Sequence, residues 1–142
     1  MKNHAVTLDR IQSFESQWNV DFPKEYEEFL LAGKQEDFRG KCFDFLVGGE
    51  ADSSVIQDFF VLSGEAYRRI DFYMKDRLGR FMLDCIPIAS DVFGNLILLK
   101  SGGDGVYFWE HEREGQEGAL NLLAKGFDHF LLSLRDLRED GE

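Results

Sequence analysis

The sequence predicts an α+β domain, built as a mainly antiparallel sheet with an N-terminal helix pair and a C-terminal helix packed around it. Three observations carry this. Apolar residues recur at helical spacing near the start and near residues 120–134, whereas residues 40–110 hold short apolar runs separated by glycine-containing turns. The order is helix, helix, strands, helix, three successive strands, helix, with no repeated strand–helix–strand unit. A chain of 142 residues with 44% hydrophobic residues and 14 Phe has enough apolar surface for one core, so residues 1–142 read as a single domain.

Thr7 precedes Leu8, Ile11, Phe14 and Trp18, a spacing that puts four apolar groups on one side of a helix with Thr7 as its N-cap. Asp21-Phe22-Pro23-Lys24-Glu25 opens a second helix, with proline where a missing N–H is no loss and acidic groups at the positive end of the dipole. Tyr26, Phe29 and Leu30 share its face and Gly33 stops it. The short link predicts an antiparallel pair.

From Gly40 the period changes to two. Residues 42–47 read as a strand ending at Gly48-Gly49, and residues 55–56 and 59–62 as another strand or two. Ser63 opens a helix carrying Ala66, Tyr67, Ile70, Met74 and Leu78 and ending near Gly79. Residues 85–89, 95–99 and 106–109 are three strand-length apolar runs joined by hairpin-compatible loops at 90–94 and 101–105. Pro87 removes a ladder donor, which places its strand at an edge or leaves its other side free at that point. After a charged turn at 110–118, Leu120, Leu123, Phe127, Phe130, Leu131 and Leu134 predict one last helix, with Arg135 and Arg138 near its negative end.

Composition excludes several functions. The 27 Asp and Glu against 16 Lys and Arg give a net charge of −11, contrary to what a nucleic-acid binder or an anionic membrane surface requires. Residues 1–60 and 81–142 each carry twelve acidic groups, while Arg68, Arg69, Lys75, Arg77 and Arg80 concentrate the basic charge between them. Such a field steers a basic partner inward. No apolar run reaches the ~18 residues that span a bilayer, and residues 1–10 have no signal-like apolar core. The expected location is the cytoplasm, with Cys42 and Cys85 reduced and buried.

Catalytic patterns are missing from the sequence. His4, His111 and His129 are far apart, no nucleophile elbow or phosphate loop occurs, and no cofactor is expected. His111, among Glu110, Glu112 and Glu114, reads as a metal ligand or as part of an exposed turn. Asp91 and Asp104 would suit a hydrolase or a divalent cation if the two hairpin ends faced each other. An acidic, aromatic-rich domain without such chemistry reads as a recognition module and not as an enzyme.

Three segments in series resemble the SUKH superfamily, which includes bacterial toxin-immunity proteins and a fungal regulator of cell-wall assembly. Residues 22–30, Phe-Pro-Lys-Glu-Tyr-Glu-Glu-Phe-Leu, resemble its helix start Leu-Pro-x-x-Tyr-x-x-Phe-Leu. Ile86-Pro87-Ile88-Ala89, Gly94-Asn95 and Val106-Tyr107-Phe108-Trp109-Glu110-His111 are similar to its paired strands, and Gly126-Phe127-Asp128-His129-Phe130-Leu131 to its terminal helix. The chain departs from the family at Ala32-Gly33-Lys34-Gln35, where Asn-Gly-Gly is common, and at Asp91-Val92-Phe93, which puts Phe93 at a loop tip, as an interface anchor or tucked against Trp109. The resemblance implies a non-enzymatic immunity protein that binds a basic toxin domain directly, or else an intracellular regulatory adaptor. Asp91, Phe93, Asp104, Glu110, Glu112 and Glu114 are the candidate partner-binding residues, the carboxylates pairing with Lys or Arg that would otherwise meet phosphate.

Overall fold

The computed structural model describes residues 6–47, 49–62, 70, 74, 85–103, 105–110 and 120–136. Helix α1 (Leu8–Trp18) starts where expected, the Thr7 hydroxyl accepting the Arg10 N–H at 3.2 Å. It buries Ile11 and Phe14, while Leu8 stays 46% exposed. Helix α2 (Lys24–Ala32) has Pro23 at its N-cap and ends at Gly33, whose N–H bonds the Phe29 and Leu30 carbonyls. A short 3₁₀ turn, Gln35–Phe38, leads to the sheet.

Six antiparallel strands follow in chain order: β1 (Cys42–Val47), β2 (Glu50–Phe59), β3 (Cys85–Asp91), β4 (Leu96–Lys100), β5 (Val106–Trp109) and β6 (Leu120–Ala124). Leu96, Ile97, Leu98 and Leu99 are all buried, so both faces of the sheet are covered at its centre. The registers Phe59↔Ala89, Ala89↔Ile97 and Ile97↔Phe108 put Phe59 and Phe108 on one face. Helix α2 reaches that face through Phe29, 5.2 Å from Phe59. Helix α3 (Phe127–Ser133) reaches it through Phe127 and Phe130, each 6.4 Å from the same ring. The sheet also curls, because Phe43 and Phe45 of β1 meet Phe108 of β5 at 5.1 and 4.6 Å. The rings of Phe14, Phe22, Tyr26, Phe29 and Phe127 continue this seam into the helices. Tyr26 is fully buried in it; its hydroxyl has no hydrogen-bond partner among the described residues, and burial pushes its ionisation well above the ordinary phenol range.

Two contacts tie distant segments together. The Gly102 N–H donates to the Asp21 carbonyl at 2.9 Å, and the Asp21 N–H donates to Ser101 Oγ at 2.7 Å, so the β4–β5 loop is docked on the start of α2. Gly103 there has φ +97° and a Cβ would sit 3.2 Å from Pro23 Cβ, so both backbone angle and space call for glycine. Along the outer edge of β1, Cys42 and Arg135 exchange two backbone bonds of 2.8 and 3.1 Å, and the Arg135 guanidinium pairs with Asp44 at 2.6 Å.

Pro87 lies in β3, which is flanked by β2 and β4 and is not an edge strand; the second alternative holds, since the β2 ladder reaches only Ala89–Asp91 and leaves Pro87 outside it. Two other segments differ from the sequence pattern. Residues 120–124 form β6, not the first turns of the last helix, because Leu120, Asn121 and Leu122 pair with Trp109, Phe108 and Tyr107. Residues 50–54, left unassigned by their polarity, are the first half of β2, held by pairing with β1. Of the helix expected at 63–79, Ile70 and Met74 are helical and buried; the rest, with the basic cluster from Arg68 to Arg80, lies outside the described residues. Cys42 and Cys85 are both buried, and neither forms a disulfide among the described residues.

Candidate functional site

The loop between β3 and β4 is the best-defined surface feature. Asp91 ends β3, Gly94 turns the chain at φ +87°, and Asn95 leads into β4. All five N–H groups from 91 to 95 are satisfied. Asp91 N–H donates to the Asn95 carbonyl, Val92 N–H to the Val55 carbonyl and Gly94 N–H to the Asp91 carbonyl. Phe93 and Asn95 N–H both donate to Asp91 Oδ1, at 3.0 and 2.8 Å. Asp91 Oδ2 accepts from Ser54 Oγ at 2.8 Å and Asn95 Nδ2 at 3.1 Å. The carboxylate is thus the hub of the loop, with its acceptors turned inward.

This corrects the reading of Asp91 as a contact residue. It is 2% exposed, and its oxygens are used by four donors of the chain itself. Phe93 is 70% exposed, so its larger part faces solvent at the tip, and Val92 beside it is 46% exposed. Val92 was missed because a β-branched residue between polar ones reads as strand or core; the signal was its place at the tip of a hairpin.

The antiparallel order decides which other candidates join this tip. Trp109 pairs with both Leu96 and Leu120, so Glu110, half-buried, leaves the sheet at the same end, and the chain returns at that end to start β6. The sequence between them contains His111, Glu112 and Glu114, which lie outside the described residues. The Ser101–Gly105 loop is at the opposite end of β4, whose five residues span roughly 16 Å at ~3.3 Å each. Asp104 itself lies outside the described residues; Gly103 and Gly105 on either side of it are at the opposite end of β4 from Asp91, so the two hairpin ends do not face each other. Among the described residues no group of three or more His, Cys, Asp or Glu is placed to hold a metal ion.

Two further carboxylates lie on the strand that holds the loop. Ile56 pairs with Asp91, so the β2 residues before it run on past the end of β3, with Ser54 against the loop. Asp52 and Glu50, both exposed, lie two and four residues beyond Ser54, about 7 and 13 Å along the strand. Strand pairing alone brings them here, and no motif marks them. His129 is exposed on α3. No helix among the described residues is long and apolar enough to cross a membrane.

Comparison with known proteins adds a family and a relative. The model of the SMI1 / KNR4 family (SUKH-1) matches residues 5–133. An uncharacterized protein derived from the SPbeta prophage of Bacillus subtilis (strain 168), YokK, is 26% identical over 148 residues, covering 92% of this chain and 75% of the relative.

Proposed function

The chain belongs to the SMI1 / KNR4 family (SUKH-1), and from that premise we propose that it is a non-enzymatic cytosolic immunity protein that neutralises a bacterial toxin by binding it directly. Immunity proteins are frequent in this family, and their task needs a complementary surface in place of reacting groups. The observation that carries the reading is one end of the sheet, where the Val92–Phe93 tip is exposed, β2 runs on past it toward Asp52 and Glu50, and β5 leads into Glu110.

Such an end suits a basic toxin domain. Carboxylates and a net charge of −11 accelerate encounter with a cationic surface, and an aromatic anchor slows departure. Glu110 adds charge where β5 ends, and Glu112 and Glu114, which follow it in the sequence, are proposed as contact carboxylates with it. Asp104, outside the described residues, is proposed as a further contact carboxylate.

The test is functional rescue. Products of the reading frames adjacent to this gene are expressed singly in a sensitive bacterium, and one of them arrests growth. Co-expression of this chain restores growth, and the two proteins co-elute as a complex. Lack of rescue by the intact chain against every neighbouring product refutes immunity; a host protein bound in place of a toxin supports the adaptor alternative.

A further inference from the structure

The loop that displays Phe93 is built more firmly than a surface turn requires. Five consecutive N–H groups are paired, and a carboxylate that is 2% exposed gathers three of its four donors from residues 93 and 95. A loosely held tip would let Phe93 fold down and hide its ring from water. This one keeps it 70% exposed, with Val92 at 46% beside it, although burial of a Phe ring is worth about 2 kcal/mol. The fourth donor, Ser54, belongs to β2, so the hub also fixes the tip against the strand that carries Asp52 and Glu50.

We infer that Asp91 is a positioning residue for a preformed two-residue apolar anchor, Val92–Phe93, which enters an apolar pocket on a protein partner whose pocket rim carries Lys or Arg. The inference rests on the protein-binding reading above and specifies its contact. Asp52 and Glu50, further along the strand to which the hub is tied, select the cationic rim, and the paired backbone means that little loop freedom is lost on docking. The partner is a folded protein, because a pocket that receives a Phe ring needs walls.

The test uses the full chain in its native host, with p-benzoylphenylalanine placed by turns at Phe93 and at Leu132, which is 83% exposed on α3. A discrete protein adduct forms from position 93 and not from 132. That protein, purified, is then titrated against variants. Phe93→Ala weakens binding by about 30-fold or more, the range of a hot-spot residue. Asp91→Asn weakens it by about 10-fold, and Ser54→Ala, which removes one donor and leaves the turn intact, by less. In the Phe93→Ala background Asp91→Asn has no further effect on affinity, although it lowers the melting temperature as before. A purely structural Asp91 would give additive losses, and additivity overturns the positioning role. An adduct from 132 with none from 93 overturns the anchor and leaves protein binding standing; adducts from neither overturn both.

Discussion

Replacing Gly103 by alanine tests the docking of the β4–β5 loop on the start of α2, and Gly102 provides its control. Both glycines have left-handed backbones, φ +97° and +86°, but a Cβ at Gly102 meets nothing within 4 Å while one at Gly103 lies 3.2 and 3.3 Å from Pro23 Cβ and Cγ. The backbone strain is about 1–2 kcal/mol at either site, less about 0.4–1 kcal/mol from the stiffer unfolded chain. Gly102→Ala therefore costs about 1 kcal/mol. At Gly103 the Pro23 ring cannot simply retreat, since its neighbour Phe22 is buried against Phe14 and Tyr26. Overpacking adds about 1–3 kcal/mol, for a total of about 2–4 kcal/mol. Thermal unfolding reads this as a fall of about 3 °C for Gly102→Ala and about 6–12 °C for Gly103→Ala. In a Pro23→Gly background the Gly103 penalty shrinks by about 1 kcal/mol or more, the coupling expected of groups in contact. Equal losses at the two glycines, or a Gly103 penalty indifferent to Pro23, would refute the argument.

Other outcomes follow from the same structure. Tyr26→Phe removes a buried hydroxyl with no partner among the described residues and raises stability by about 1 kcal/mol, measured by urea denaturation; a loss of that size would reveal a bond the hydroxyl makes. Because the Tyr26 phenol is held above its unfolded value of about 10, its contribution to stability is intact below that pH and falls as pH rises beyond it. Absorbance titration then shows this phenol ionising only with unfolding. Arg135→Ala breaks the partly exposed pair with Asp44 and costs less than about 1 kcal/mol, since the backbone bonds to Cys42 remain; a larger loss in thermal unfolding contradicts this.

Much of the fold was legible because local and tertiary preferences agreed. Thr7, Pro23 and Gly33 mark helix ends by their own chemistry, and the runs at 85–89, 95–99 and 106–109 are buried enough to read as strands whatever their neighbours. β6 was not legible. Leu120, Leu123 and Phe127 have helical spacing, but pairing with β5 overrides it, and the helix begins only after Gly126. The polar half of β2 fails for the opposite reason, since Glu50, Ala51, Asp52 and Ser53 face solvent and carry no apolar period. At the candidate site the sequence located Phe93 but misjudged Asp91. An Asp whose side chain caps the N–H two residues on is a common turn device, and Asn95 four residues away was the available hint of a buried hub.

The bridge between Cys42 and Arg135 joins positions about 90 residues apart in sequence. At ~5–20 residues per second, a ribosome needs roughly 5–20 s to make Arg135 after Cys42. Throughout that interval the rim of β1 offers unpaired amides to any passing nascent strand. A truncation that stops before residue 135 would leave this rim open for good, and we expect such a polypeptide to clump during synthesis even where its interior could still assemble.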